Sequence, residues 1–184
     1  MIGVLVSGRG TNLQALLDAG LPVTAVASNT AGAQALERAE LASVPTAVFR
    51  EEDYADRAAR DETMADWLEE NRVELVVCAG YMQLLTPAFL GRFACLNVHP
   101  SLLPAFPGLE AIGQALAAGA EETGVTVHFI DEGVDTGPVV AQERVAIERD
   151  DTVETLRERL HAVEHRLLAE AVRLYLAGAL GSRS

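Results

Sequence analysis

The chain has 184 residues, 49% of them hydrophobic and 22% charged, which is the composition of a globular domain able to bury a substantial core. Its 14 Lys and Arg against 27 Asp and Glu leave a formal charge of −13, so it gains little from counterion release on nucleic acid and is repelled by anionic lipid. No apolar run approaches the ~18 residues of a membrane span, and MIGVLVSGRG has neither a basic n-region nor a long apolar h-region; a cytoplasmic protein acting on small molecules is expected, with no nucleic-acid or membrane partner.

Apolar runs and helical periods then alternate along the chain. MIGVLVS predicts a strand, and TNLQALLDAG a helix capped by Thr11 or Asn12 and ended by Gly20. LPVTAVASN predicts a second strand, AGAQALERAELAS a helix, VPTAVF a third strand and DYADRAARDETMADWLEENR a long amphipathic helix. VELVVCAG and FACLNVH follow as apolar strands, bracketing a short helix that begins at Thr86-Pro87. Cys78 and Cys95 lie in these two runs, isolated from each other in sequence, and read as buried core thiols of a reducing compartment. After a proline-rich loop (Pro100, Pro104, Pro107), EAIGQALAAGA is helical. TGVTVHFID and PVVAQERVAI alternate with period two as an antiparallel pair, and TVETLRERLHAVEHRLLAEAVRLYLAGAL is one final helix.

Strands alternating with helices imply βαβ units with right-handed crossovers. The fold class expected is α/β: a Rossmann-like open, mostly parallel twisted sheet, helices on both faces, an antiparallel C-terminal strand pair, and residues 1–184 as a single domain. Such sheets take ligands beyond the carboxyl ends of their strands. Four polar segments qualify: Ser7–Asn12, Gly80–Leu85, Asn97–Pro100 and Asp131–Pro138.

SGRGTN offers two glycines and the free N–H groups of a helix start, which suit an anion. It completes neither G-x-G-x-x-G nor a Walker A loop, and a plain tight turn explains it as well. In CLNVHPSLLP, Asn97 and His99 are two apart on a strand and so share a side. An amide N–H and an imidazole that can carry charge would together stabilise an oxyanion, although either residue alone is more ordinarily a satisfied buried polar group. DEGVDTGP carries Asp131, Glu132 and Asp135 between two strands. A carboxylate brought beside His99 would favour the imidazolium and relay a proton; otherwise the segment is a solvated turn.

SGRGTNLQ, AGYMQLL, LNVHPSLLPAFPG, VTVHF and Asp135-Thr136-Gly137-Pro138 together resemble the phosphoribosylglycinamide formyltransferase family of folate-dependent transformylases. The resemblance runs in the same order from Ile2 to the final helix. It implies a purine-biosynthetic enzyme that moves the formyl group of 10-formyltetrahydrofolate onto the amine of glycinamide ribonucleotide, without a metal. It also implies site residues: Asn97, His99 and Asp135 as the catalytic trio, Gly10, Thr11, Asn12 and Glu164 as contacts to the ribonucleotide, and Arg57, Met82, Gln83, Leu84, Leu85 and Asn97 as contacts to the folate. The loop Asp131–Asp135 matches the one that closes over the pterin. On this reading residues 1–96 are mainly the phosphate and ribonucleotide half, and residues 97–184 the catalytic and folate half with the C-terminal helix. A homodimer is compatible with it, and the oligomeric state is left open.

Three positions depart from the family pattern. Ala105 stands where a basic residue is usual, Glu110 where a His is, and Gln83 where an Arg is. Rival readings are weighed by what each would require. A same-fold formyltransferase acting on initiator tRNA or a sugar nucleotide would share the N-x-H and the Asp; the tRNA version calls for a further C-terminal domain and a basic surface, and a formyl-folate hydrolase calls for an N-terminal regulatory domain. A nicotinamide oxidoreductase calls for a third glycine and an acidic residue after the second strand, where this chain has Ser28-Asn29. A non-catalytic nucleotide- or folate-binding module has no use for Asn97, His99 and Asp135 together.

Overall fold

The β-branched apolar runs become strands and the 3.6-period stretches between them become helices. The structure, a computed structural model, describes residues 1–180. In chain order it contains β1 (Ile2–Val6), α1 (Thr11–Asp18), β2 (Val23–Ser28), α2 (Gln34–Leu41), β3 (Thr46–Val48), a 3₁₀ turn (Glu51–Asp53), α3 (Arg57–Glu70) and β4 (Leu75–Cys78). These are followed by α4 (Pro87–Arg92), β5 (Ala94–His99), α5 (Ala111–Ala117), β6 (Glu122–Phe129), β7 (Val139–Ala146) and α6 (Val153–Leu176). The strands form one sheet in the order β3-β2-β1-β4-β5-β6-β7. β1 pairs in parallel with β2 and β4, β2 in parallel with β3, and β6 antiparallel with β7. This is the expected α/β class, a mostly parallel sheet with an antiparallel C-terminal pair. Contacts divide the described residues into two compact units, Met1–Leu96 and residues 97–180.

In the first unit β1 is buried along its whole length, as a strand flanked by parallel neighbours must be. Strand order reverses there: β2 and β3 lie to one side of β1 and β4 to the other. The loops that follow β1 and β4 therefore meet at the sheet's carboxyl edge, joined by Ser7 N–H to the Gly80 carbonyl (3.2 Å) and by Met82 N–H to Ser7 Oγ (2.9 Å).

The start of α1 differs from the sequence expectation. Its N-cap is Gly10, at φ 70° and ψ 33°, and Thr11 is already helical, so neither Thr11 nor Asn12 caps. The turn out of β1 needs a left-handed residue, which glycine takes at no steric cost, and this sets the cap one residue early. Gly20 ends α1 as expected, at φ 68°, with Gly20 N–H on the Leu17 carbonyl and Leu21 N–H on the Leu16 carbonyl. α2 and α3 close in the same pattern with Ser43 and Arg72 in the glycine's place. α3 begins later than its periodicity suggests because Asp56 accepts the Ala59 N–H (2.8 Å) and fixes the cap there. α4 starts as expected, with Thr86 as its cap and Pro87 in its first turn.

In the second unit α6 packs Leu156, Leu160, Leu167, Leu168 and Val172 inward, its start held by a Thr152–Thr155 capping box. Buried Thr126 on β6 organises the loop after β5. Its Oγ1 donates to the Ser101 carbonyl (2.7 Å) and accepts from Leu103 N–H (3.2 Å) and Gln142 Nε2 (2.8 Å). Cys78 and Cys95 are buried free thiols, and burial pushes the Cys78 thiol well above its ordinary range. No helix among the described residues is long and apolar enough to cross a membrane.

Gly10 bears a second constraint, since a Cβ there would sit 2.5 Å from Ala35 Cβ, whereas one at Gly8 would meet nothing within 4 Å. Gly10→Ala is expected to lose about 2–4 kcal/mol, from positive-φ strain and overpacking together, and Gly8→Ala no more than about 0.5 kcal/mol. Urea unfolding of the two variants checks this. Equal stabilities would mean the turn relaxes freely and Gly10 is not needed by the fold.

Candidate active site

β5 carries Asn97 and His99 on one side, Val98 turning the other way, as the period of a strand requires. His99 is buried, and both of its ring nitrogens face oxygens. Nε2 lies 2.9 Å from the Phe106 carbonyl, and Nδ1 lies 3.3 Å from Asp135 Oδ2. A carbonyl and a carboxylate can only accept, so the ring satisfies both contacts only when both nitrogens bear protons. The predicted partnership across 36 positions of sequence is thus a physical contact.

Asp135 is held from three directions. The Gly108 N–H donates to Oδ2 at 2.7 Å, His99 faces that same oxygen, and His128 Nε2 lies 3.5 Å from Oδ1. The carboxyl sits below its ordinary range, through the hydrogen bond to His128 first, with the Gly108 amide and the charge of His99 adding to it against the opposing effect of burial. His128 Nδ1 lies 2.8 Å from the Phe129 carbonyl, which puts a proton on Nδ1. Its Nε2 then has two neighbours of opposite demand, Asn97 Nδ2 at 3.2 Å and Asp135 Oδ1 at 3.5 Å. Unprotonated, Nε2 accepts from Asn97; protonated, it donates to Asp135. One proton on His128 therefore decides whether the Asn97 amide or the Asp135 carboxylate is held by that ring.

The backbone here is strained where it touches the His–Asp pair. Asp135 (φ 55°) and Phe106 (φ 51°) both occupy the left-handed region. For a bulky Phe this is an outlier that persists only when its surroundings over-determine it, and such residues gather at functional sites. The Ser101 hydroxyl on the Ala105 carbonyl (2.6 Å) and the Thr126 network supply that support. In the loop between the strands, Asp131 Oδ1 accepts from Gly133 N–H (3.0 Å) and the Thr136 hydroxyl (2.7 Å), closing residues 131–136 on themselves.

The remaining predicted positions fall on three segments of the first unit and on α6. Gly10 is the N-cap of α1 and Thr11 and Asn12 its first helical residues, with Asn12 buried. Arg38 on α2 donates Nε to the Arg9 carbonyl (2.8 Å), fixing a cation against that loop. Met82 and Leu84 project outward, 65% and 58% exposed, on the segment after β4 that also carries Leu85, while Gln83 Nε2 reaches Glu51 Oε2 at 3.3 Å. Arg57 is exposed in the first turn of α3, and Glu164 is buried on α6.

A family model described as formyl transferase matches residues 1–172. The chain belongs to the formyl transferase family. It is 37% identical over 183 residues to the phosphoribosylglycinamide formyltransferase of Bacillus subtilis, covering 94% of this chain and 93% of that protein. It is 46% identical to the trifunctional purine biosynthetic protein adenosine-3 of Chironomus tentans over 96% of this chain, which spans 14% of that relative's length. The crystal structure of glycinamide ribonucleotide transformylase 1 from Symbiobacterium toebii superposes with a TM-score of 0.96 at 46% identity, covering all of this chain and 90% of that one.

Within this member of the family the sequence reading did not single out His128, the Phe106 carbonyl or the Gly108 amide, three of the groups packed on the trio. His128 lies on a strand buried on both faces, where period two marks no special side. The available signal was a histidine next to the end of a strand whose other residues after Glu122 are apolar or hydroxylic. Backbone groups leave no signal in sequence at all.

The depressed Asp135 carboxyl sets a pH dependence of known sign. A carboxyl lowered in the folded state stabilises the fold above its unfolded value of ~3.9, and that contribution is lost as pH falls through the lower folded value. Asp135→Asn keeps a residue type that tolerates left-handed backbone and keeps an acceptor for Gly108. Its melting temperature is expected to fall below the parent's at about pH 6–7, with the gap closing as pH drops below about 4. Thermal melts of both proteins across that range check this; a gap independent of pH would mean the charge of Asp135 does not stabilise the fold.

Proposed function

We propose that the chain transfers the formyl group of 10-formyltetrahydrofolate to the amine of glycinamide ribonucleotide in purine biosynthesis. The observation that carries this reading is the cluster of Asn97, His99, His128 and Asp135, in which one partly desolvated carboxylate lies 3.3 and 3.5 Å from two imidazoles beside an amide donor. A family whose chemistry is formyl transfer, and relatives named for this substrate, agree with it.

In the proposed reaction the substrate amine attacks the formyl carbon, forming a C–N bond and a tetrahedral oxyanion. An Asn97 amide hydrogen not engaged by His128 and the charge of His99 stabilise that oxygen. The amine proton passes to Asp135, directly or through water, and a proton is returned to the folate nitrogen as its bond to carbon breaks. His99 meets Asp135 and the Phe106 carbonyl through both nitrogens, so its share in oxyanion stabilisation is chiefly the charge it carries close by. The N-terminus of α1 at Gly10–Asn12, with its glycine N-cap and positive dipole end, suits the ribonucleotide phosphate, and Arg38 lies nearby in an otherwise anionic protein. Met82, Leu84 and Leu85 offer an apolar lining for the folate and Gln83 an amide among them, Arg57 suits its carboxylate tail, and Glu164 is assigned to the ribonucleotide.

Incubation with 10-formyltetrahydrofolate is expected to give N-formylation of glycinamide ribonucleotide and no comparable hydrolysis in its absence. Asn97→Ala is expected to lower kcat about 10²–10³-fold with little change in either KM. Formate release at the same rate with and without the ribonucleotide would replace transfer by hydrolysis.

Arg57 places a cation at the positive end of α3, a position that favours a bound anion over the bare residue. Arg57→Ala is expected to raise KM for the folate several-fold at low salt and to flatten its dependence on ionic strength. A salt response identical to the parent's would remove Arg57 from the folate contacts.

A further inference from the structure

Arg60 and Asp61 are adjacent on α3, each 1% exposed, with Arg60 Nη2 2.6 Å and Nε 3.0 Å from Asp61 Oδ1. Neighbouring helical residues do not face each other, so this pair forms only because the arginine folds back along the helix. Removing two charges from water costs more than their attraction returns unless their remaining hydrogen-bonding capacity is used. Here it is used on backbone outside the helix. Asp61 Oδ2 accepts the Thr86 N–H at 2.7 Å, and Arg60 Nη2 donates to the Leu84 carbonyl at 3.3 Å.

Both backbone groups belong to the stretch between β4 and α4, which has no ladder of its own. A third anchor comes from Ser7, whose Oγ accepts the Met82 N–H (2.9 Å) while donating to Asn29 Oδ1 (2.6 Å). Alternate residues 82, 84 and 86 are thus tied down by side chains, while Met82 and Leu84 stay turned to solvent. An exposed apolar segment held this firmly is built to present a surface.

We infer that Arg60 and Asp61 are positioning residues for the formyl donor: they set the course of the Met82–Leu85 segment and thereby donor affinity, without touching the reacting atoms. The inference rests on the reading above of that segment as the folate contact. Apolar replacement of a buried ion pair is commonly neutral or stabilising to the fold, so a pair serving stability alone could be replaced in that way with donor affinity unchanged.

The test is the double variant Arg60→Met/Asp61→Leu, which leaves neither charge unpaired. Its melting temperature is expected to fall by no more than about 10 °C, since no charge is left unpaired and the loss is that of the Thr86 N–H and Leu84 carbonyl partners. KM for 10-formyltetrahydrofolate is expected to rise about 10- to 100-fold, with kcat and KM for glycinamide ribonucleotide within about twofold. A folded double variant with an unchanged donor KM would overturn the positioning role. A parent unable to use 10-formyltetrahydrofolate would instead overturn the reading of the segment, and the inference with it. Hydrogen exchange of the parent alone keeps the question decidable if the variant does not fold. The Met82 and Thr86 amides are expected to be protected without any ligand, and exchange at the rate of free peptide would show that the anchors do not hold.

Discussion

A carboxylate withdrawn from water must be met by donors, and around Asp135 that requirement organises much of the second unit. Two imidazoles and one backbone amide converge on its oxygens. Each imidazole is oriented in turn by a backbone carbonyl, Phe106 for His99 and Phe129 for His128. The carbonyl for His99 and the amide for Asp135 come from a single short loop, so residues 106–108 hold both members of the pair at once. Left-handed backbone at Phe106 and Asp135 is the conformational cost of that arrangement, and buried Thr126 with its partners at Ser101, Leu103 and Gln142 stabilises it.

The same requirement explains how a protein of charge −13 deploys its cations. Several arginines are occupied by carboxylates at the surface, among them Arg92 with Asp66 and Glu69, and Arg166 with Glu143. Such exposed pairs are screened and contribute little to stability. Arg38 and Arg60 act differently, since each turns a guanidinium to a backbone carbonyl beyond its own helix and so shapes a loop. The loop after β1 and the segment after β4 are each fastened by a cation that balance of charge alone would not have singled out.

Much of this was legible in the chain. Alternating periods predicted the α/β class and the antiparallel end of the sheet, because burying one face of each element leaves few other architectures. Thr86-Pro87 marked the start of α4 through capping chemistry that acts within a few residues. The start of α1 was misjudged for a reason of the same local kind: the left-handed turn at Gly10 took the cap from Thr11 and Asn12. The resemblance to phosphoribosylglycinamide formyltransferases pointed to Asn97, His99 and Asp135 before any distance was known.

Residue types and short spacings therefore established the element order, the shared side of Asn97 and His99, and the chemical repertoire available to a site, since these depend on backbone periodicity and on what each side chain can donate or accept. Distances between residues remote in sequence belong to packing. Asp135 reaches His99 across 36 positions because β5 and the loop after β6 end at the same edge. His128 joins them because a doubly buried strand happens to end there, and the Phe106 carbonyl and Gly108 amide take part through a loop conformation that side chains elsewhere impose. Backbone groups are the same in every residue, so which of them become ligands was decided only by the folded chain.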